Sequence, residues 1–307
     1  MVHASIDVGS NTVRLLIGEV VAGQIRPSHY ERYITRLKGG QTDKGLAPEA
    51  MERTLHALSR CSDTIRRYQV ESVIAFGTEA LRTASNATQF IDNVKRRLNL
   101  DLQIISGEHE ARTSAAGVLS ALQPCPESAI IIDIGGGSTE FIIVEQGKVV
   151  FQKSTPLGVV RIAEAPDSDD RSSFIGRAVE SLKRVIAAQG FEPQLLNPSI
   201  AFVGTAGTIT TLAAMDMEMA EYDWRKVNNH QMHLDRIIRF RNRLAPLTTS
   251  QREAIPGMEK GRGDLIIPGI DIVLELMSTY RKKTLTISDF GLLEGILLQM
   301  ADPAAFH

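Results

Sequence analysis

The stretch 130–140, reading I-I-I-D-I-G-G-G-S-T-E, limits what this chain can fold into more than any other. Its isoleucines describe a buried strand, and Gly135, Gly136 and Gly137 then carry the backbone into a turn that no side chain obstructs. Consecutive backbone N–H groups in such a turn make a concave anion site. A carboxylate at the strand end, Asp133, can hold the magnesium that neutralises phosphate charge. A second copy lies near Met1: residues 5–12 read S-I-D-V-G-S-N-T, again strand, aspartate, glycine and small hydroxyl residues, followed by the β-rich run 13–20. A single D-x-G is an ordinary turn signature. Its repetition, each time with a hydroxyl residue and another strand-like run behind it, predicts two related half-domains facing each other across a phosphate.

At 307 residues the chain exceeds the size at which one core keeps growing, so two domains are expected. Hydrophobic residues at 43%, charged residues at 23% and a formal net charge of -2 describe an ordinary soluble protein, without the global basic field that nucleic acid attracts. Two cysteines, Cys61 and Cys125, give neither a disulfide framework nor metal-ligand spacing and fit a reducing cytoplasm. The first motif begins almost at Met1, which leaves no room for a signal peptide, and no apolar run approaches the roughly 20 residues of a membrane helix. The expectation is a cytoplasmic protein that binds neither nucleic acid nor membrane, with a homodimer among the states open to it.

In chain order, 6–20 and 24–33 read as strands joined by a tight turn at Ala22-Gly23. Residues 32–45, rich in Arg, Lys and Gly, form a mobile basic loop, either solvated or within reach of a polyanion. A helix over 47–68 presents Leu55, Leu58, Cys61 and Ile65 on one face. The strand 70–76 delivers G-T-E-A-L-R-T-A to the edge of an α/β sheet, where ligands collect, which makes Arg82 a candidate phosphate clamp. After a helix over 88–98 and a strand over 102–105, Ser106 caps a helix whose first turns carry Glu108 and Glu110; complementing the helix dipole is the ordinary role of both glutamates.

Prolines at 124 and 126 mark the domain boundary, giving an N-terminal domain over 1–124 and a C-terminal one over 125–307. The second half repeats the first: glycine turn, strands at 140–144 and 148–153, a helix over 170–189, then a strand over 198–203 leading into G-T-A-G-T. That small-residue turn admits a base or phosphate close to the backbone, or simply allows close helix packing. Residues 222–233 are polar, and His230 and His233, which lack metal-ligand spacing, read as loop residues. A long apolar helix runs through Tyr280, a short strand covers 285–287, and a last helix over 289–300, capped by Ser288 or Asp289, is expected to pack back on the N-terminal half.

Taken together, D-V-G-S-N-T-V-R at 7–14, G-T-E-A-L-R-T-A at 77–84, I-S-G-E-H-E-A-R at 105–112, D-I-G-G-G-S-T-E at 133–140 and G-T-A-G-T at 204–208 resemble the exopolyphosphatase and guanosine pentaphosphate phosphatase family over nearly the whole chain. The resemblance implies a duplicated actin-like, sugar-kinase-like (ribonuclease H-like) α/β fold with an interdomain cleft. It also implies magnesium-dependent, or manganese-dependent, release of terminal phosphate from polyphosphate or guanosine pentaphosphate, with guanosine tetraphosphate as a related ligand. By the same resemblance Glu110 matches the catalytic glutamate that orients or deprotonates water, Asp133 and Glu140 match the acids of the metal and nucleophilic water, and Asp7 matches the acid of the first phosphate loop. Gly9, Ser10, Asn11, Thr12, Arg82, Gly135, Gly136, Gly137 and Ser138 match phosphate-contacting positions, and Gly204, Thr205, Gly207 and Thr208 belong to the segment that faces a nucleoside in related folds.

Two departures bear on substrate choice. The chain carries no His-Asp pair of the kind found in the C-terminal helical extension of larger members, and the late G-L-R-E-G motif reads G-L-L-E-G at 291–295. Both point to short or non-processive substrates. A phosphotransferase of the same fold and a non-catalytic guanosine tetra- or pentaphosphate sensor remain the alternatives at this level.

Overall fold

A computed structural model describes residues 1–164 and 168–303. The polypeptide divides into two compact units, Met1–Ser120 with Phe290–His307, and Ala121–Asp289. The division falls in the last turn of a helix, a little before the proline break at Pro124.

The first unit begins with a meander of β1 (His3–Val8), β2 (Thr12–Val21) and β3 (Gln24–Ile34). The tight turn between β2 and β3 uses the left-handed backbone of Ala22 and Gly23. There follow α1 (Pro48–Arg67), β4 (Ser72–Gly77), α2 (Glu79–Thr83), α3 (Ala87–Leu98), β5 (Leu102–Ile104) and α4 (Gly107–Ala121). The sheet order is β3-β2-β1-β4-β5, antiparallel through the meander and parallel from β1 to β4 to β5. Alternation along the strands sorts its two faces. Leu15 and Ile17 join Leu58, Cys61, Phe90 and Val94 beneath α1 and α3, whereas Leu16 turns the other way.

The second unit contains β6 (Ser128–Ile134), β7 (Thr139–Glu145), β8 (Lys148–Thr155), α5 (Val159–Ala163), α6 (Ser168–Ala188), α7 (Glu192–Leu196), β9 (Ala201–Thr205), α8 (Gly207–Asp216), α9 (Trp224–Val227), β10 (Gln231–His233), α10 (Leu234–Leu244), α11 (Thr249–Glu253), α12 (Ile266–Thr279) and β11 (Thr284–Ile287). Its sheet order, read from the opposite edge, is β8-β7-β6-β9-β11-β10. The first five strands therefore repeat the first unit, with β10 added antiparallel at the rim. Even the irregularities match. The β2–β3 ladder shifts register at Ile17/Gly18 and the β7–β8 ladder at Ile143/Val144, the same offset that separates Asp7 from Asp133. This is a duplicated two-domain α/β fold of the actin-like class.

The chain's last helix, α13 (Leu292–Ala301), packs within the first unit, on the sheet face opposite α1. Leu292 and Ile296 meet Phe76 and Ile105, while Leu293 and Leu297 meet Leu16. Leu293, where the motif has arginine, is thus a core residue. Gly117 of α4 and Gly291 and Gly295 at α13 allow backbone contact: a Cβ on Gly117 would lie 1.9 Å from Gly291 O, and one on Gly295 1.8 Å from Thr113 O.

Several expectations need correction. Of the two histidines read as loop residues, His230 lies outside any element but His233 belongs to a strand. The short helix α9 and strand β10 lie within 222–233, and Met232 alone is the buried side chain of β10, too little pattern for alternation to reveal. The last helix starts at Leu292 rather than 289, because Ser288 N donates to Gly204 O and Asp289 N to Asn228 Oδ1; the helix is capped instead by Glu294, whose Oε2 accepts from Gly291 N at 2.8 Å. Arg32 belongs to β3, and the segment after it is pinned, not loose: Thr35 N and Arg36 N both donate to Asn11 O, and Lys38 N to Ser10 O. No helix among the described residues is long and apolar enough to cross a membrane.

Candidate active site

In the first unit, β1 ends on a turn closed by Gly9 N donating to Thr12 O at 2.9 Å. Asp7 faces Arg14 across the β1–β2 ladder, and Arg14 places Nε and Nη2 on the same oxygen, Oδ2, at 2.9 and 2.7 Å. The other oxygen, Oδ1, is buried without a hydrogen-bond partner, as is Asn11 Oδ1. Both atoms are acceptors, so a donor or a cation, not a phosphate oxygen, is what would satisfy them. Ser10 Oγ donates to Glu79 Oε2 at 2.8 Å, and Lys38 Nζ pairs with the other oxygen of Glu79.

Arg82 and Glu110 come together on the same unit. Arg82, at the end of α2, donates from Nη1 to Ile105 O at 3.1 Å and to Glu110 Oε2 at 2.5 Å. Glu110 sits in the first turns of α4, whose start is capped by Ser106 Oγ accepting from His109 N. Both side chains are mostly withdrawn from solvent. A carboxylate gripped by a guanidinium has a fixed direction, which is what a water-orienting group requires.

The second unit repeats the turn with different chemistry. Gly135 N donates to Ser138 O at 2.9 Å, the counterpart of Gly9 and Thr12. Across the β6–β7 ladder, however, Asp133 faces Glu140 where Asp7 faces Arg14. Glu140 Oε1 accepts from Ser138 Oγ and Ser154 Oγ, each at 2.8 Å. The carbonyls of the turn are engaged from behind: Val159 N donates to Gly135 O and Val160 N to Gly136 O at the start of α5. Gly158 permits this approach, since a Cβ there would sit 2.2 Å from Gly137 C. With its carbonyls turned toward α5, the turn keeps amide donors for an anion.

At the end of β9 the chain turns through Ala206, held at φ 70° and ψ 178°, a conformation normally reserved for glycine. Gly207 lies against the guanidinium of Arg262, which is itself paired with Glu259. Gly204 and Thr208 face inward: a Cβ on Gly204 would touch Ile209 and Leu285, and Thr208 is buried against Gly269 of α12.

The sequence motifs contain Arg14 and Glu79 without marking them. Aligning the two turns residue by residue would have revealed Arg14, because it occupies the position of Glu140. Lys38 lies outside the motifs but within the basic segment 32–45, and Arg262 within a basic, glycine-rich turn, whereas Ser154 and Gly158 carry no comparable signal.

Among the described residues no three His, Cys, Asp or Glu side chains converge as a ready-made metal cage. Magnesium does not need one: it is commonly held by one or two carboxylates together with substrate phosphate oxygens. Like charges directly opposite in an antiparallel ladder are unfavourable, and a cation relieves them. The Asp133–Glu140 register fits such an ion, whereas at the Asp7–Arg14 register the guanidinium already balances the charge of the acid.

Comparison with known proteins places the chain in a family. Residues 16–304 match the Ppx/GppA phosphatase family. Exopolyphosphatase 2 of Mycobacterium tuberculosis is 32% identical over 97% of this chain and 98% of its own length. The guanosine-5'-triphosphate,3'-diphosphate pyrophosphatase of Pseudoalteromonas translucida is 28% identical over 97% of this chain and 59% of its own. The crystal structure of the Aquifex aeolicus Ppx/GppA family member is 31% identical, with a TM-score of 0.79 over 98% of this chain and 97% of that one. The chain belongs to the Ppx/GppA phosphatase family.

Proposed function

We propose that the protein hydrolyses the terminal phosphoanhydride bond of inorganic polyphosphate or guanosine pentaphosphate, releasing inorganic phosphate. The observation that carries this reading is the duplicated turn with opposite cross-strand partners, Arg14 in one copy and Glu140 in the other. One half offers a turn whose acid is balanced by Arg14, and the other a carboxylate pair suited to a cation. Cleavage of a phosphoanhydride is catalysed by positioning and charge stabilisation, and these are the groups it needs.

In this reading the amides of Gly136, Gly137 and Ser138 in one unit, and those of Ser10, Asn11 and Thr12 in the other, serve phosphate oxygens, while the Gly135 and Gly9 amides close their turns onto Ser138 O and Thr12 O; Arg82 is an added clamp and Asp7 holds Arg14 in place. Asp133 and Glu140 would hold magnesium or manganese, which when bound neutralises charge on the phosphates. Glu110 orients a water and accepts its proton as the water oxygen bonds to the terminal phosphorus. The bond from that phosphorus to the bridging oxygen breaks, and the electron pair leaves with the shortened chain. Thr205 and Gly207 line a nucleoside-facing turn, backed by Gly204 and Thr208. The two free thiols, Cys61 and Cys125, are compatible with a cytoplasmic setting. The test is phosphate release from polyphosphate and guanosine pentaphosphate in parallel, with magnesium, with manganese and with excess chelator. Release from at least one substrate, abolished by chelator, is expected; no release from either overturns the proposal.

A further inference from the structure

Glu79 opens α2, where the phosphate turn of the first unit meets the segment that follows β3. Its two carboxylate oxygens hold two different donors: Oε2 accepts from Ser10 Oγ at 2.8 Å, and Oε1 takes the Lys38 ammonium. The group is sheltered, with side-chain exposures of 19% for Lys38 and 13% for Glu79, and Ser10 is buried. Glu79 is not needed to hold the segment against the turn. Backbone bonds do that, from Thr35 N and Arg36 N to Asn11 O and from Lys38 N to Ser10 O. What the carboxylate does is occupy a hydroxyl and an ammonium as two oxygens of a phosphate would.

We infer that Glu79 is a built-in phosphate mimic, which keeps Ser10 and Lys38 occupied until a substrate phosphate displaces it, and that Lys38 is a substrate-contacting residue. This inference rests on the hydrolase reading above. A ligand must then out-compete a carboxylate already in place and bear its repulsion. Glu79 therefore sets how much anionic charge a ligand needs to load the turn, favouring phosphate chains over a lone phosphate ion.

The decisive substitution is Glu79→Gln, which keeps size and one acceptor but removes the competing charge. Its KM for tripolyphosphate and the inhibition constant for inorganic phosphate should both fall by roughly threefold or more, as a partly screened charge at contact distance allows. Glu79→Asp, which retains the charge, should restore parent-like values. Lys38→Met should raise KM, and adding Glu79→Gln to it should have a smaller effect than in the parent, since the two act on one pair. A purely structural Glu79 would lower the unfolding temperature of the Gln variant and leave KM and phosphate inhibition unmoved, overturning the inference. So would an increase in either constant. A parent protein that neither cleaves nor is inhibited by these compounds overturns the hydrolase reading and this inference together; an active parent with an indifferent Gln variant overturns this inference alone.

Discussion

Glu110 illustrates how one side chain separates a stabilising role from a chemical one. A carboxylate in the first turn of a helix gains about 0.3–1 kcal/mol from the helix dipole, whereas a general base or water-orienting group contributes roughly 10²–10⁴-fold to rate. The bond from Arg82 Nη1 at 2.5 Å anchors Glu110 sideways, which favours the second role. Glu110→Gln should lower kcat at least about tenfold, a floor below the usual range, while KM and the unfolding temperature move little. Steady-state kinetics at parent-like kcat would return Glu110 to a helix-end role. Glu31 is the opposite case, a carboxylate with a structural task. Burial alone would push its carboxyl up, but hydrogen bonds from Tyr33, His29 and Thr64 outweigh that and hold it below its ordinary value. With the folded value below the unfolded one, the stabilisation is complete above the ordinary glutamate range near about 4.3 and is lost as pH falls through the folded value. Glu31→Gln should therefore lower the unfolding temperature at neutral pH and flatten its decline in acid; an unchanged acid limb would contradict this.

The crossing of α4 and α13 bears on Glu110, since α4 carries it and meets α13 at Thr113 and Gly117. Contact between the two helices depends on missing side chains, with Gly117 and Gly295 each facing a backbone carbonyl at less than van der Waals distance for any Cβ. Gly295→Ala must push the helices apart, an overpacking that costs about 1–3 kcal/mol. Denaturant unfolding should show that loss, and turnover should fall with it as α4 shifts. Unchanged stability would mean the crossing tolerates the methyl group. This element-scale feature was not legible beforehand: periodicity located the apolar helix near the chain's end but could not say that its glycines are a contact surface. Strands and turns read more clearly, because alternation and Gly-rich punctuation are local signals. Strand β10 escaped because three residues cannot display a period, and its place at the rim is decided by pairing with β11.

For the whole molecule, duplication was the most readable property and asymmetry the least. The repeated strand, acid and glycine turn announced two related halves, and the matched strand orders and register shifts carry that repeat well beyond the motifs. The sequence also displayed the one position at which the copies differ in charge, yet its meaning depends on register. Only the ladder places Arg14 opposite Asp7 and Glu140 opposite Asp133. Two halves descended from one plan have thus diverged so that one is internally neutralised and the other has a carboxylate pair facing across the strands. If cation binding belongs to the second copy, Asp133→Asn or Glu140→Gln should raise the magnesium concentration for half-maximal activity by roughly tenfold or more, the scale at which altered metal ligation is usually felt. Asp7→Asn removes the acid at the matching position of the other copy. It should leave that magnesium midpoint nearly unchanged and instead weaken substrate, because Arg14 loses the carboxylate that aims it. Magnesium titrations of the three variants at saturating polyphosphate separate the cases. Equal displacement of the midpoint in all three would mean that both turns share the ion, and that the difference between Arg14 and Glu140 does not decide where the cation binds.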